Sequence, residues 1–152
     1  AGAVLALDAN ALGAPLTLIA VPAGRSLDDV SARQVEALYE GVEYRPLSPV
    51  HLKAVWQGDD LALSWIRRTR LEGDAWGVGE GVLGETQELY RVEIRDGAGA
   101  LLWAGESTLP SILVPEETAA ELPSGLSWRV AQVSARTGPG RWGEGVVPPP
   151  LP

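Results

Sequence analysis

Between Leu61 and Ile66 the chain reads L-A-L-S-W-I, so Leu61, Leu63 and Trp65 alternate with Ala62, Ser64 and Ile66. On a strand this places two leucines and an indole on one face. The same period of two recurs in Tyr90, Val92 and Ile94 against Arg91, Glu93 and Arg95, and again in Leu126, Trp128 and Val130. These runs and their turns predict strand A at Val50–Trp56, B at Leu61–Ile66, C at Leu89–Arg95 and C′ at Ala100–Ala104. Strand E follows at Ser111–Val114, F at Leu126–Ala135 and G at Arg141–Val147. Turns are expected at Gln57–Asp60, at Asp96-Gly97-Ala98-Gly99 and at Gly138-Pro139-Gly140, where glycine supplies the unusual backbone angles. One helical turn fits Glu116–Glu121. Seven short alternating strands with no helix of consequence predict an all-β antiparallel sandwich.

Ahead of these strands lies a smaller β-rich segment. Ala3–Leu7 is a short apolar run closed by Asp8-Ala9-Asn10, and Leu16–Val21 is a better strand closed by Pro22-Ala23-Gly24. Val35, Ala37 and Tyr39 suit a strand with one exposed face; the rival is a short helix over Leu27–Tyr39, with Asp28 and Asp29 near its N-terminus. Too few strands are present here to close a core. Arg45-Pro46-Leu47-Ser48-Pro49 marks the boundary, because two prolines stop any ladder. The expected organisation is therefore 1–47 as an N-terminal β segment, 48–146 as the sandwich and 147–152 as a proline-rich tail.

Composition narrows the chemistry. The 152 residues include 18 Gly and 12 Pro but no Phe, Met or Cys, so six Trp carry most of the aromatic volume. Without cysteine there is no thiolate metal site and no thiol nucleophile. The missing Met favours an excised fragment. Ala1–Ala6 lacks the basic start of a signal peptide, and no apolar run approaches a membrane span. A net charge of −8 opposes binding to nucleic acid through its phosphates.

No catalytic, cofactor or metal site is expected. His51 is the single histidine, and no G-x-S-x-G elbow accompanies it. Asp28/Asp29, Asp59/Asp60 and Glu116/Glu117 are neighbours in turns or on opposite strand faces, not carboxylates facing across a cleft. Gly77-Val78-Gly79-Glu80-Gly81 has no lysine or hydroxyl residue to hold a phosphate and metal. The informative polar group is Arg67, Arg68 and Arg70 with Glu72, Asp74 and Trp76, in the long connection Arg67–Glu88. Two readings stand side by side. In one, the arginines pair with acids of the same loop and brace it. In the other, Arg67, Arg68, Arg70, Asp74 and Trp76 form a docking surface, since Arg and Trp are typical interface anchors. A third reading uses exposed Trp56, Trp76, Trp103 or Trp142 to bind sugar, Trp65 and Trp128 being claimed by the core.

From Ser48 to about Glu144 the pattern resembles a fibronectin type III domain. The carrying residues are Pro49, Leu61-x-Leu63-x-Trp65, Tyr90-x-Val92-x-Ile94, Leu122-Pro123, Trp128-x-Val130 and Gly138-Pro139-Gly140. The resemblance implies that the Trp128 indole N–H replaces the family's phenol at the E–F corner; Gln132 departs from the family's small apolar residue at the end of F, a departure that a bulge there would accommodate. A narrower similarity lies in S-P-V-H-L-K-A (Ser48–Ala54), L-S-W-I-R-R-T-R-L-E-G-D-A-W (Leu63–Trp76) and L-G-E-T-Q-E-L-Y-R-V-E-I (Leu83–Ile94), and reaches back through Ala14–Asp29. These runs resemble the C-terminal part of the large tail-tip protein of gene transfer agents and related siphophage-like tails, often labelled host specificity or megatron protein. That resemblance implies a non-catalytic structural module of a virion or tail-like particle, assembled in the cytoplasm and acting outside the cell. Its implied partners are other tail-tip or baseplate subunits or a second copy of itself. The alternatives are a carbohydrate-binding module for cell-surface glycans and an accessory domain of a secreted glycosidase.

Overall fold

The computed structural model describes residues 7–71 and 82–150. It divides into two compact units, Ala1–Tyr44 and Arg45–Pro152. In the first unit, β1 (Pro15–Ala20) and β2 (Arg33–Leu38) form an antiparallel hairpin with Leu16 opposite Ala37 and Leu18 opposite Val35. The helix considered over Leu27–Tyr39 does not form. β-branched Val35 gains from a cross-strand neighbour what it would lose in a helix.

The second unit runs β3 (Val50–Gln57), β4 (Asp60–Ile66), β5 (Tyr90–Arg95), β6 (Leu101–Ser107), β7 (Ser111–Val114), a single turn α1 (Glu116–Ala119), β8 (Ser127–Ser134), β9 (Gly138–Pro139) and β10 (Gly143–Val146). One sheet has the order β3-β4-β7, and the other the order β10-β8-β5-β6, with β9 added beside β8. In the lettering of the expected strands these are A-B-E and G-F-C-C′, the arrangement of a fibronectin type III-like sandwich. All pairings are antiparallel.

The core forms where the alternating apolar faces meet. Leu61, Leu63 and Trp65 of β4 and Val114 of β7 pack on Tyr90, Val92 and Ile94 of β5 and on Trp128 and Val130 of β8. The Trp65 and Tyr90 rings meet edge to face with centroids 5.0 Å apart, and Trp128 lies 6.2 Å from Trp65. Edge-to-face packing sets the positive rim of one ring against the negative face of another.

Two glycines of the last hairpin are required by close approach. A Cβ on Gly140 would lie 2.4 Å from the Pro46 carbonyl oxygen, and one on Gly143 would lie 2.5 Å from that of Pro49. The Arg141 N–H donates to the Pro46 carbonyl at 3.1 Å, so the proline-bounded entry strap lies directly on the final hairpin. A third, Gly145, opens room for Trp128, whose Nε1 would stand 2.9 Å from an added Cβ.

Two expectations are corrected. Trp128 donates no hydrogen bond to a described residue, so the indole does not replace the phenol of an E–F corner; its ring is held by packing against Trp65 and the gap at Gly145. β8 pairs with β5 without a register shift through Gln132, whereas on its other edge the register steps by one residue between Val130, opposite Gly143, and Val133, opposite Pro139. The Gln132 carbonyl accepts the Gly140 N–H at 2.9 Å at that step, and further shifts fall at Val50/Lys53 and Ile94/Arg95. The chain also turns at residues 135–137, one step before Gly138, which already pairs with Ser134 at φ +72°.

Truncating the inter-sheet rings tests the packing. Trp65→Ala and Trp128→Ala are each expected to lose about 3–5 kcal/mol of stability, as removal of a large buried ring does. Gly143→Ala, which adds one methyl group against fixed backbone, is expected to lose about 1–3 kcal/mol. Urea midpoints read all three, and wild-type values for both tryptophan variants would contradict this core.

Candidate interaction surface

β4 carries its buried face to Trp65 and then leaves the core. Ile66 is exposed, Arg67 half-buried and Arg68 exposed. The segment leaving β4 is bound to the segment entering β5. Arg67 lies 3.7 Å from the Glu88 carboxylate, and its Nη1 donates to the Val82 carbonyl at 3.3 Å. Arg70 Nη2 donates to the Glu85 carboxylate at 2.9 Å and to the Gly84 carbonyl at 3.1 Å. The Thr69 hydroxyl lies 2.7 Å from the Val82 carbonyl oxygen.

Two of the three arginines are thus committed to bracing the ends of the connection. Arg68 has no ion-pair partner among the described residues. Asp74 and Trp76, with Glu72, lie outside the described residues. The acids seen to hold the arginines are Glu85 and Glu88, which the sequence reading did not single out because pairing depended on how the loop returned.

Glu88 also accepts a hydrogen bond from the Tyr90 hydroxyl at 2.5 Å. Burial pushes the Tyr90 phenol far up from its ordinary range, and the carboxylate beside it adds to the shift. Tyr90 is therefore a fixed donor at the foot of the connection, beneath Arg67.

A second cluster, not found from the sequence, covers the outer face of the β10-β8-β5-β6 sheet. Glu93 sits on the polar side of β5 yet is only 4% exposed. Its Oε2 accepts from Arg95 Nη2 at 2.8 Å and from Arg129 Nε at 2.8 Å, while Arg91 Nε stands 3.4 Å from Oε1. The Arg129 guanidinium lies 4.1 Å from the ring centroid of Trp142. Register explains the assembly, because Glu93 faces Arg129 across the β5–β8 ladder and Arg129 faces Glu144 across β8–β10. The alternation of β5 shows in the sequence; the 36-residue jump from Glu93 to Arg129 does not.

Burial alone would raise the Glu93 carboxyl, but hydrogen bonds from Arg95 and Arg129, with their charges, hold it below the ordinary glutamate value. This carboxylate is stabilised more in the folded chain than in the unfolded chain.

The remaining candidate chemistry is dispersed. His51 is exposed at φ 51°, within the β3 irregularity. Asp60 accepts the Glu116 N–H at 2.8 Å and so holds the start of α1, while Asp29 accepts from Ser31. No group of three metal-ligating side chains occurs among the described residues. Trp56, Trp103 and Trp142 are all half-buried, and Trp56 and Trp103 border the core. Trp56 nonetheless walls a cleft of about 360 Å³ that includes Asp59, Glu116, Leu122 and Pro148. Its Nε1 donates to the Pro148 carbonyl at 2.8 Å.

The Glu93 network has a definite acid signature. With its folded value lowered, its contribution is present above the unfolded value of about 4.3 and is lost as pH falls through the folded value. Glu93→Gln is expected to lose about 1.5–3 kcal/mol at neutral pH, from weakened charged hydrogen bonds. The gap from wild type should close on moving from pH 7 to pH 3 in urea titrations; an unchanged gap would contradict the linkage.

No family model matches the chain, and no curated protein matches it. Solved structures similar to it include the spore cortex lytic enzyme SleM of Clostridium perfringens, at 11% identity and TM-score 0.44 over 68% of this chain. Domains d3–d4 of the rat CD45 extracellular region share 12% identity at TM-score 0.48, covering 97% of this chain and 69% of that one. The FN5 domain of Drosophila Lar shares 14% identity at TM-score 0.37, covering 69% of this chain and 99% of that one. This chain spans 28% of the length of the cortex lytic enzyme.

Proposed function

We propose that the chain is a non-catalytic interaction module of a phage-like tail tip, of the gene-transfer-agent kind, docking on another tail-tip or baseplate subunit through the Arg67–Arg70 segment. The carrying observation is the division of labour among three arginines. Arg67 and Arg70 are tied to Glu88 and Glu85, which fixes the strand exit, while Arg68 is exposed and without an ion-pair partner among the described residues. Exposed Ile66 and Leu71 stand near it in the chain. A guanidinium beside apolar surface on a braced backbone loses little freedom on docking, which favours affinity. The runs that resemble large tail-tip proteins include this segment, and they supply the biological setting: assembly in the cytoplasm, then action on the particle outside the cell. Arg68→Glu is expected to leave the urea midpoint within about 0.5 kcal/mol of wild type, as exposed substitutions do. The same variant should fail to enter tail particles in a complementation assay. Normal incorporation would leave the arginines with the bracing role alone.

A second reading, glycan binding, is favoured by the cleft beside Trp56, where an indole wall and the acids Asp59 and Glu116 could meet a sugar's apolar face and its hydroxyls. Oligosaccharide quenching of tryptophan fluorescence, abolished by Trp56→Ala, is the expected signature. Absence of quenching across a glycan panel would remove this reading and leave the first intact.

A further inference from the structure

The hairpin of the first unit has an unfinished edge. Among the described residues β1 pairs with β2 and with no other strand. Leu18, Ile19, Val35 and Leu38 are 43%, 47%, 55% and 61% exposed. A lone two-stranded hairpin is marginal in water, and an uncharged edge strand is a template for another chain. No charged residue occurs from Gly13 to Gly24, whereas β2 carries Arg33 and Glu36.

The backbone shows which groups are open. The Tyr39 N–H donates to the Ala14 carbonyl at 3.1 Å, one step beyond the ladder and in register with it. Even-numbered residues of β1 therefore bond across the hairpin, and Thr17 and Ile19 turn their N–H and C=O groups to the open edge. Pro15 offers only a carbonyl there.

We infer that a second copy of the chain occupies this edge, β1 against β1 antiparallel about a two-fold axis through Leu18. The strand is its own complement in that register. Thr17 exchanges both backbone hydrogen bonds with Ile19 of the partner subunit, and the axis repeats the exchange. The Val21 N–H of each copy meets the Pro15 carbonyl of the other, so the missing proline N–H is absorbed at the end of the ladder. Leu18 lies opposite its own copy and Leu16 opposite Ala20, which brings the exposed leucines of two hairpins together. Charge selects this edge. Each chain carries −8, so approach through most of the surface is repulsive, while the segment around β1 contributes no charge. The inference is independent of the Arg68 docking reading, since it concerns the other unit and another partner.

The cysteine-free sequence makes the test direct. In the full chain, Leu18→Cys is expected to give a disulfide-linked dimer under mild oxidation, because a directly opposed antiparallel pair has its Cα atoms about 4.5–5.5 Å apart. Leu16→Cys, four strand positions from its own copy and so about 13 Å away, should not cross-link. Sedimentation velocity of the unmodified chain should show a dimer that Thr17→Pro or Ile19→Arg converts to monomer, with sandwich tryptophan fluorescence unchanged. A monomer at all concentrations, equal cross-linking at positions 16 and 18, or a dimer indifferent to both edge substitutions would each overturn the proposal.

Discussion

The second unit depends on fitting two indoles and a phenol between its sheets. With no phenylalanine or methionine in the chain, Trp65, Trp128 and Tyr90 carry the aromatic bulk of the core. Large rings tolerate few arrangements, and this one ties β4 to both β5 and β8. Its cost is visible in the Trp65 N–H, which is buried without an acceptor among the described residues. The gain from removing that much apolar surface from water exceeds the penalty of one unmet donor.

That packing decides what lies on either side of it. Because Trp65 ends the buried face of β4, Ile66 and the arginines after it emerge at the rim of the sandwich, where Glu85 and Glu88 meet them on the way into β5. Because Val92 and Ile94 are committed inward, Glu93 is directed outward, into a sheet face where Arg95 and Arg129 converge on it. The strand period therefore distributes apolar burial to one face and a shielded ion cluster to the other. A carboxylate held by several guanidinium hydrogen bonds fixes side chains on an otherwise solvated sheet, which an isolated surface pair does not do.

The hairpin unit follows the opposite economy. Leu12 packs over Gly41, where an added Cβ would stand 2.4 Å from its Cδ1, and Tyr39 donates to the Glu43 carboxylate. These contacts organise the base of the hairpin, but most of β1 and β2 remains exposed. Its apolar residues have local order and little burial within their own unit, the condition under which an edge acquires a partner.

The alternation of Leu61, Leu63 and Trp65, and of Tyr90, Val92 and Ile94, by itself determined the strands, the buried faces and the all-β antiparallel class, because a period of two leaves a half-buried strand little choice. Lack of cysteine and the net negative charge likewise bounded the chemistry without coordinates. Tertiary structure alone decided which distant charges meet: Glu93 with Arg129, and Arg70 with Glu85, since ladder register and loop return are not written in local spacing. It also gave the glycines of the last hairpin their meaning. Gly140 reads as a turn former and Gly143 as a strand residue in sequence, yet both are small because the backbone of Pro46 and Pro49 lies against them. The same holds for Trp56, Trp103 and Trp142, which composition leaves free for a ligand and packing draws partly inward. How deeply a ring is buried depends on neighbours brought together only by folding.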